Sequence, residues 1–173
     1  MAGMIQNMKR IILLISILFI FLLFGCSTQT HQDTISRWLG IDVSTGSEVS
    51  TYDNHGGFHG DGTTLITLSF SDDKALRQIE ESNEWKKFPL DDTVKALIYG
   101  VSDGTNFIGP YLTDNTGKTI IPEIENGYYF LIDKQENQDE IVSKNILNRY
   151  SLNFVLGIYD TDTDILYFCE FDT

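Results

Sequence analysis

Residues 152–171 read LNFVLGIYDTDTDILYFCEF, and this stretch decides the fold. Side chains alternate through Leu152–Tyr159 and again through Ile165–Phe171, the period of two that sends successive residues to opposite faces of a strand. Between the runs stands Asp160-Thr161-Asp162-Thr163-Asp164, made of short polar residues of the kind that turn a chain. Two alternating runs joined by so short a linker predict a C-terminal β-hairpin.

Working outward, the same pattern recurs upstream. After the turn-forming Asn126-Gly127, Tyr128, Phe130 and Ile132 alternate with Tyr129, Leu131 and Asp133, which predicts a further strand. Thr63–Phe70 places Ile66, Leu68 and Phe70 on one face and Leu65, Thr67 and Ser69 on the other, the signature of a half-buried strand. Ser71 is a suitable N-cap there, and Leu76 and Ile79 share a face of a helix running to about Asn83. Asp91–Tyr99 carries Val94, Leu97 and Ile98 at helical spacing, though its β-branched residues also suit a strand. Gln138–Tyr150 is expected to be helical, and Ile35–Ile41 to form a helical turn closed by Gly40, with Trp38 and Leu39 packing inward. Asp114-Asn115-Thr116-Gly117 between Phe107–Leu112 and Thr119–Ile124 looks like a hairpin turn. Short turns between strands imply an α+β domain: a mainly antiparallel sheet with two or three helices packed on one face.

The beginning of the chain is different. Fourteen residues from Ile11 to Phe24, nearly all apolar, follow Lys9 and Arg10 and precede Gly25-Cys26-Ser27. A membrane-spanning helix needs about 20 apolar residues, whereas a cationic start, a short apolar run and a small residue describe a secretory signal. Leu23-Phe24-Gly25-Cys26 resembles the bacterial lipobox, whose cysteine thiol receives a diacylglycerol. Residues 1–25 are therefore expected to be a lipoprotein signal peptide, Cys26 the lipidation site, residues 26–33 a polar tether and residues 34–173 a single domain. Two or three acyl chains, at about 0.8 kcal/mol per buried methylene, anchor stably where one does not. The expected location is extracytoplasmic, on the outer face of the bacterial cell membrane.

Without Lys9 and Arg10 the remainder holds 10 basic against 25 acidic residues, a formal charge of −15. Such a field repels nucleic acid and anionic headgroups and favours cationic partners or metal ions. With Cys26 lipidated, Cys169 is the only thiol left, so no intramolecular disulfide is available. Its place in an alternating apolar run predicts an inert buried thiol.

One stretch gathers metal-capable side chains: Tyr52-Asp53-Asn54-His55-Gly56-Gly57-Phe58-His59-Gly60-Asp61-Gly62. Asp53, His55, His59 and Asp61 offer two imidazoles and two carboxylates to a divalent ion such as zinc, manganese or nickel. Its glycines rule out a helix, so the loop would have to fold around the ion. The alternative is a glycine-rich connection whose histidines face solvent. The glycines do not reproduce a phosphate cradle and precede a strand instead of a helix. Asp160, Asp162 and Asp164 imitate the start of an EF-hand loop, but Ile165 stands where glycine is needed and Phe171 where glutamate is needed. No Gly-x-Ser-x-Gly elbow occurs to support serine hydrolysis. Tyr128, Tyr129, Tyr150, Tyr159 and Tyr167 suit sheet packing before they suit a ligand platform.

The lipobox, the Tyr52–Gly62 loop, Trp85–Leu90, Ala96–Gly100 and the Tyr159–Thr163 segment together resemble small lipoproteins of Firmicutes that have no assigned activity. That resemblance implies a location and a role for Cys26 alone. The expected function is a membrane-anchored, non-enzymatic module that binds a protein, a peptide or a wall component. One alternative is an anchored immunity or inhibitor protein against a cationic partner. Another is a metal-dependent hydrolase built on the Asp53–Asp61 loop.

Overall fold

The computed structural model describes residues 30–56, 60–102, 104–135 and 145–173. The signal segment, Cys26, the tether up to residue 29, His59 and most of the helix expected over Gln138–Tyr150 lie outside the described residues. His31–Thr173 forms one unit by itself.

The C-terminal hairpin stands at the heart of a six-stranded sheet. Strands β1 (Ser47–Asp53), β2 (Gly62–Ser69), β3 (Lys86–Lys87), β6 (Gly127–Asp133), β7 (Phe154–Asp160) and β8 (Ile165–Asp172) are ordered β1-β2-β8-β7-β6-β3. Every pairing in it is antiparallel. A separate ribbon pairs β4 (Val101–Ser102) with β5 (Phe107–Ile108). The expectation of an antiparallel α+β fold closed by a hairpin therefore holds.

Three α-helices are present among the described residues: α1 (His31–Leu39), α2 (Lys74–Glu81) and α3 (Asp92–Tyr99). In α1 the i,i+4 pair Ile35 and Leu39 is buried, and Gly40 ends the helix at φ +66° with its N–H donated to Ser36 O. The helix begins at His31, so His31–Asp33 are not tether. Helix α2 starts at Lys74, with the Lys74 N–H donated to Asp72 Oδ1, so Ser71 is not its cap. Asp91–Tyr99 is a helix and not a strand: helix α3 is capped by Asp91 Oδ1, which accepts the Val94 N–H at 2.9 Å, and Gly100 closes it at φ +75°.

Helices α1 and α2 share one face of the sheet. There Ile35, Leu39, Ala75 and Ile79 meet Ile66, Leu68, Phe70, Val155, Tyr159, Leu166 and Phe168. Helix α3 covers the other face, where Val94, Leu97 and Ile98 meet Leu65, Tyr129, Leu156, Ile158, Tyr167 and Cys169. Both faces of β2 and β8 are thus buried, and half-burial of Thr63–Phe70 does not hold. With each large apolar side chain contributing about 1.5–3 kcal/mol on burial, two cores sandwiching one sheet replace the missing disulfide.

The hairpin turn expected at Asp114–Gly117 is present but short: Gly117 N–H donates to Asp114 O and Thr113 bridges Thr119 antiparallel, while Leu112 and Ile121 are drawn into the core beside α3. The described part of Gln138–Tyr150 is a 3₁₀ turn, Ile146–Asn148, after which Tyr150 is fully exposed. Among the described residues of that segment, Ile146 is buried and Leu147 packs half-buried against the same core.

Candidate functional site

The Tyr52–Gly62 stretch is the β1–β2 connection. Asn54 N–H donates to Thr63 O, Thr63 N–H to Asn54 Oδ1 at 2.6 Å, and Gly56 N–H to Asp61 O. His55 folds back so closely over Gly62 that a Cβ there would lie 2.5 Å from His55 Cα, so only glycine allows this turn. Asp53 Oδ1 accepts the His55 backbone N–H at 2.9 Å and contacts His55 Nδ1 at 2.7 Å. Those hydrogen bonds, the backbone one first, hold the Asp53 carboxyl below its ordinary range.

Asp53 and His55 are thus brought together, and His55 Nε2 faces Asp172 Oδ2 at 3.8 Å. Asp61 lines a cleft of about 480 Å³ together with Lys134, Asn153 and Asp172. Among the described residues no group of three or more His, Cys, Asp or Glu side chains is disposed to hold a metal ion. Thr64 Oγ1 also approaches His55, at 3.2 Å, but on the same Nδ1 that Asp53 occupies. A base relay needs hydroxyl and carboxylate on opposite ring nitrogens, so Asp53, His55 and Thr64 cannot act as a nucleophilic triad.

The residue that organises this end of the sheet is Lys134, just beyond β6. Its Nζ donates to Glu170 Oε1 at 2.5 Å and to Asp172 Oδ1 at 2.9 Å, and lies 5.7 Å from the Trp38 ring centroid. Burial disfavours the charged amine, but the two carboxylates outweigh that cost and hold Lys134 above its usual range. The sequence hides this cluster because its members come from α1, β6 and β8. Its one visible signal is the pair Glu170 and Asp172, spaced by two on a strand whose other residues on that face, Leu166 and Phe168, are core.

The other candidates are structural. Asp160 Oδ1 accepts the Asp162 N–H and Asp160 Oδ2 the Thr163 hydroxyl, so the acidic run is a self-bonded turn. Cys169 is wholly buried, and burial pushes its thiol far up. Tyr129, Tyr159 and Tyr167 are buried and form no platform.

A second cleft, of about 630 Å³, opens at the opposite edge of the sheet. Leu76 and Glu80 of α2, Phe88 beside β3, Tyr128 of β6, Glu125 and Asp162 line it. The Tyr128 hydroxyl donates to Glu80 Oε1 at 3.2 Å, and Asn126 Nδ2 donates to Asp162 Oδ2 at 2.9 Å. Burial and then the neighbouring Glu80 raise the Tyr128 hydroxyl above its usual range, so it stays a donor at neutral pH. Half-buried rings and aliphatic carbon lie here beneath carboxylates fixed by neutral donors, an arrangement suited to binding.

Compared with family models, curated proteins and solved structures, the chain matches none.

Proposed function

We propose that the protein is a surface lipoprotein, anchored through Cys26 to the outer face of the bacterial cell membrane, whose domain binds a protein, peptide or wall component without transforming it. The observation that carries this reading is the cleft between α2 and the β3–β6 edge, where Leu76, Phe88 and Tyr128 lie beside Glu80, Glu125 and Asp162. The −15 charge of the chain beyond residue 25 favours the alternative of an immunity or inhibitor protein against a cationic partner within the same class.

Crosslinking and affinity capture from native membranes tests the reading, with Cys26→Ala as the unanchored control. The expected result is a stoichiometric partner on the anchored protein, and transfer of the Cys26→Ala form out of the membrane fraction. Recovery of no partner would overturn the binding role. Retention of Cys26→Ala in the membrane would overturn the lipid anchor.

A further inference from the structure

Several acidic side chains on this domain pair with a lysine or arginine: Asp42 with Lys74, Asp73 with Arg77, Asp91 with Lys86, Asp133 with Arg149 and Asp172 with Lys134. The carboxylates at the cleft between α2 and β6 are held otherwise. Glu80 and Asp162 are oriented by Tyr128 and Asn126, both neutral, and among the described residues no lysine or arginine pairs with either. Glu125 adds a third carboxylate, set against the single amine of Lys87. Beneath this rim lie Leu76, Phe88 and Tyr128, half-buried and able to cover an aliphatic stem.

We propose that this cleft binds a basic peptide segment in which lysine or arginine alternates with an aliphatic or aromatic residue. Charge decides for a cation, and the concave apolar wall decides for a peptide over a bare ion. A long cationic side chain lays its methylenes along apolar surface while its head stays polar, which matches a wall of Leu76 and Tyr128 under a rim of Glu80 and Asp162. Carboxylates already held by neutral donors lose little freedom when the cation arrives. The inference rests on the binding-module reading and names its ligand.

The test uses the full chain in zwitterionic nanodiscs and a short fluorescein-labelled peptide of alternating lysine and leucine, followed by anisotropy with empty discs subtracted. Glu80→Gln with Asp162→Asn keeps both acceptor positions and removes two charges. Glu48→Gln with Asp61→Asn removes the same charge at the far edge. The expected result is affinity weakened about tenfold by the first pair and hardly at all by the second, with a lysine–serine peptide of equal charge binding more weakly. Equal weakening by both pairs, or no binding to the unaltered chain, would overturn the proposal. A natural partner captured equally well by the Glu80→Gln, Asp162→Asn protein would overturn the cleft while leaving the binding role standing.

Discussion

Arg149 Nη1 lies 2.6 Å from Asp133 Oδ1, and with 5 % and 14 % of their side chains exposed the two form the most enclosed ion pair among the described residues. It ties the segment after the 3₁₀ turn to the end of β6. A covered pair contributes little when intact, but removing one member strands the other's charge, at about 3–5 kcal/mol. Arg149→Met is expected to lose most of that stability in urea denaturation, and Arg149→Met with Asp133→Leu to recover part of it. A loss in the double variant equal to the sum of the losses in Arg149→Met and Asp133→Leu alone would show that the side chains act independently.

Gly157, in the middle of β7, is where α1 lands. A Cβ there would stand 2.8 Å from Leu39 Cδ2 and 2.9 Å from Trp85 Cη2, and Trp85 Nε1 donates to Leu39 O. In Gly157→Ala the Leu39 and Trp85 side chains must therefore shift within a packed core, at about 1–3 kcal/mol. A thermal unfolding midpoint lowered by several degrees, with a shift in Trp85 emission, is the expected outcome. An unchanged midpoint would mean that Leu39 rotates away without loss.

How much of this was legible follows from which forces act locally. The alternation of Thr63–Phe70, Tyr128–Asp133, Leu152–Tyr159 and Ile165–Phe171 announces strands because both faces of each must be filled, and β2, β6, β7 and β8 stand close to those limits. Helix α3 was legible in the spacing of Val94, Leu97 and Ile98, although the β-branched residues of that segment also suited a strand. What alternation cannot tell is whether the second face meets water or another helix, so α3 behind the sheet was not foreseen. The Asp53–His55 contact lay within a legible loop, but Lys134, Glu170 and Asp172 converge only once β6 and β8 flank β7. The second cleft is similarly non-local, since Glu80 and Tyr128 are 48 residues apart.

Asp91 links the cap of α3 to Lys86 and the Tyr129 hydroxyl, at 3.1 and 3.2 Å. Burial alone would raise its carboxyl, but the Val94 N–H and the Lys86 ammonium outweigh this and hold it low. Because the folded value lies below the unfolded one, the charge contributes stability above about pH 4 and loses it as pH falls through the folded value. Asp91→Asn keeps a capping oxygen and removes only the charge. Its deficit, on the order of 1 kcal/mol or less at this half-exposed site, is expected to be constant through neutral pH and to vanish in acid. Asp91→Ala loses the cap as well, about 1 kcal/mol more at every pH. A deficit in Asp91→Asn that grows in acid would reverse the sign of this account.

Cys169 faces the α3 side of β8, paired with Leu65 of β2 and Leu156 of β7, and has no exposed surface. Burial disfavours its thiolate, the form that reacts, so a maleimide reaches it only when the central strands separate. Labelling of Cys169 in the native protein, followed by mass spectrometry, is expected to be negligible, and complete once denaturant is added. Its rate at intermediate denaturant should follow the global unfolding curve, since β7 and β8 are central. Cys169→Ser would place a hydroxyl in that apolar layer and cost about 1–3 kcal/mol if no acceptor is found. Cys169→Ala, which brings no polar atom, is expected to cost less. Rapid labelling of Cys169 without denaturant would mean that the sheet opens locally at β8 and that the α3 face is not a closed core.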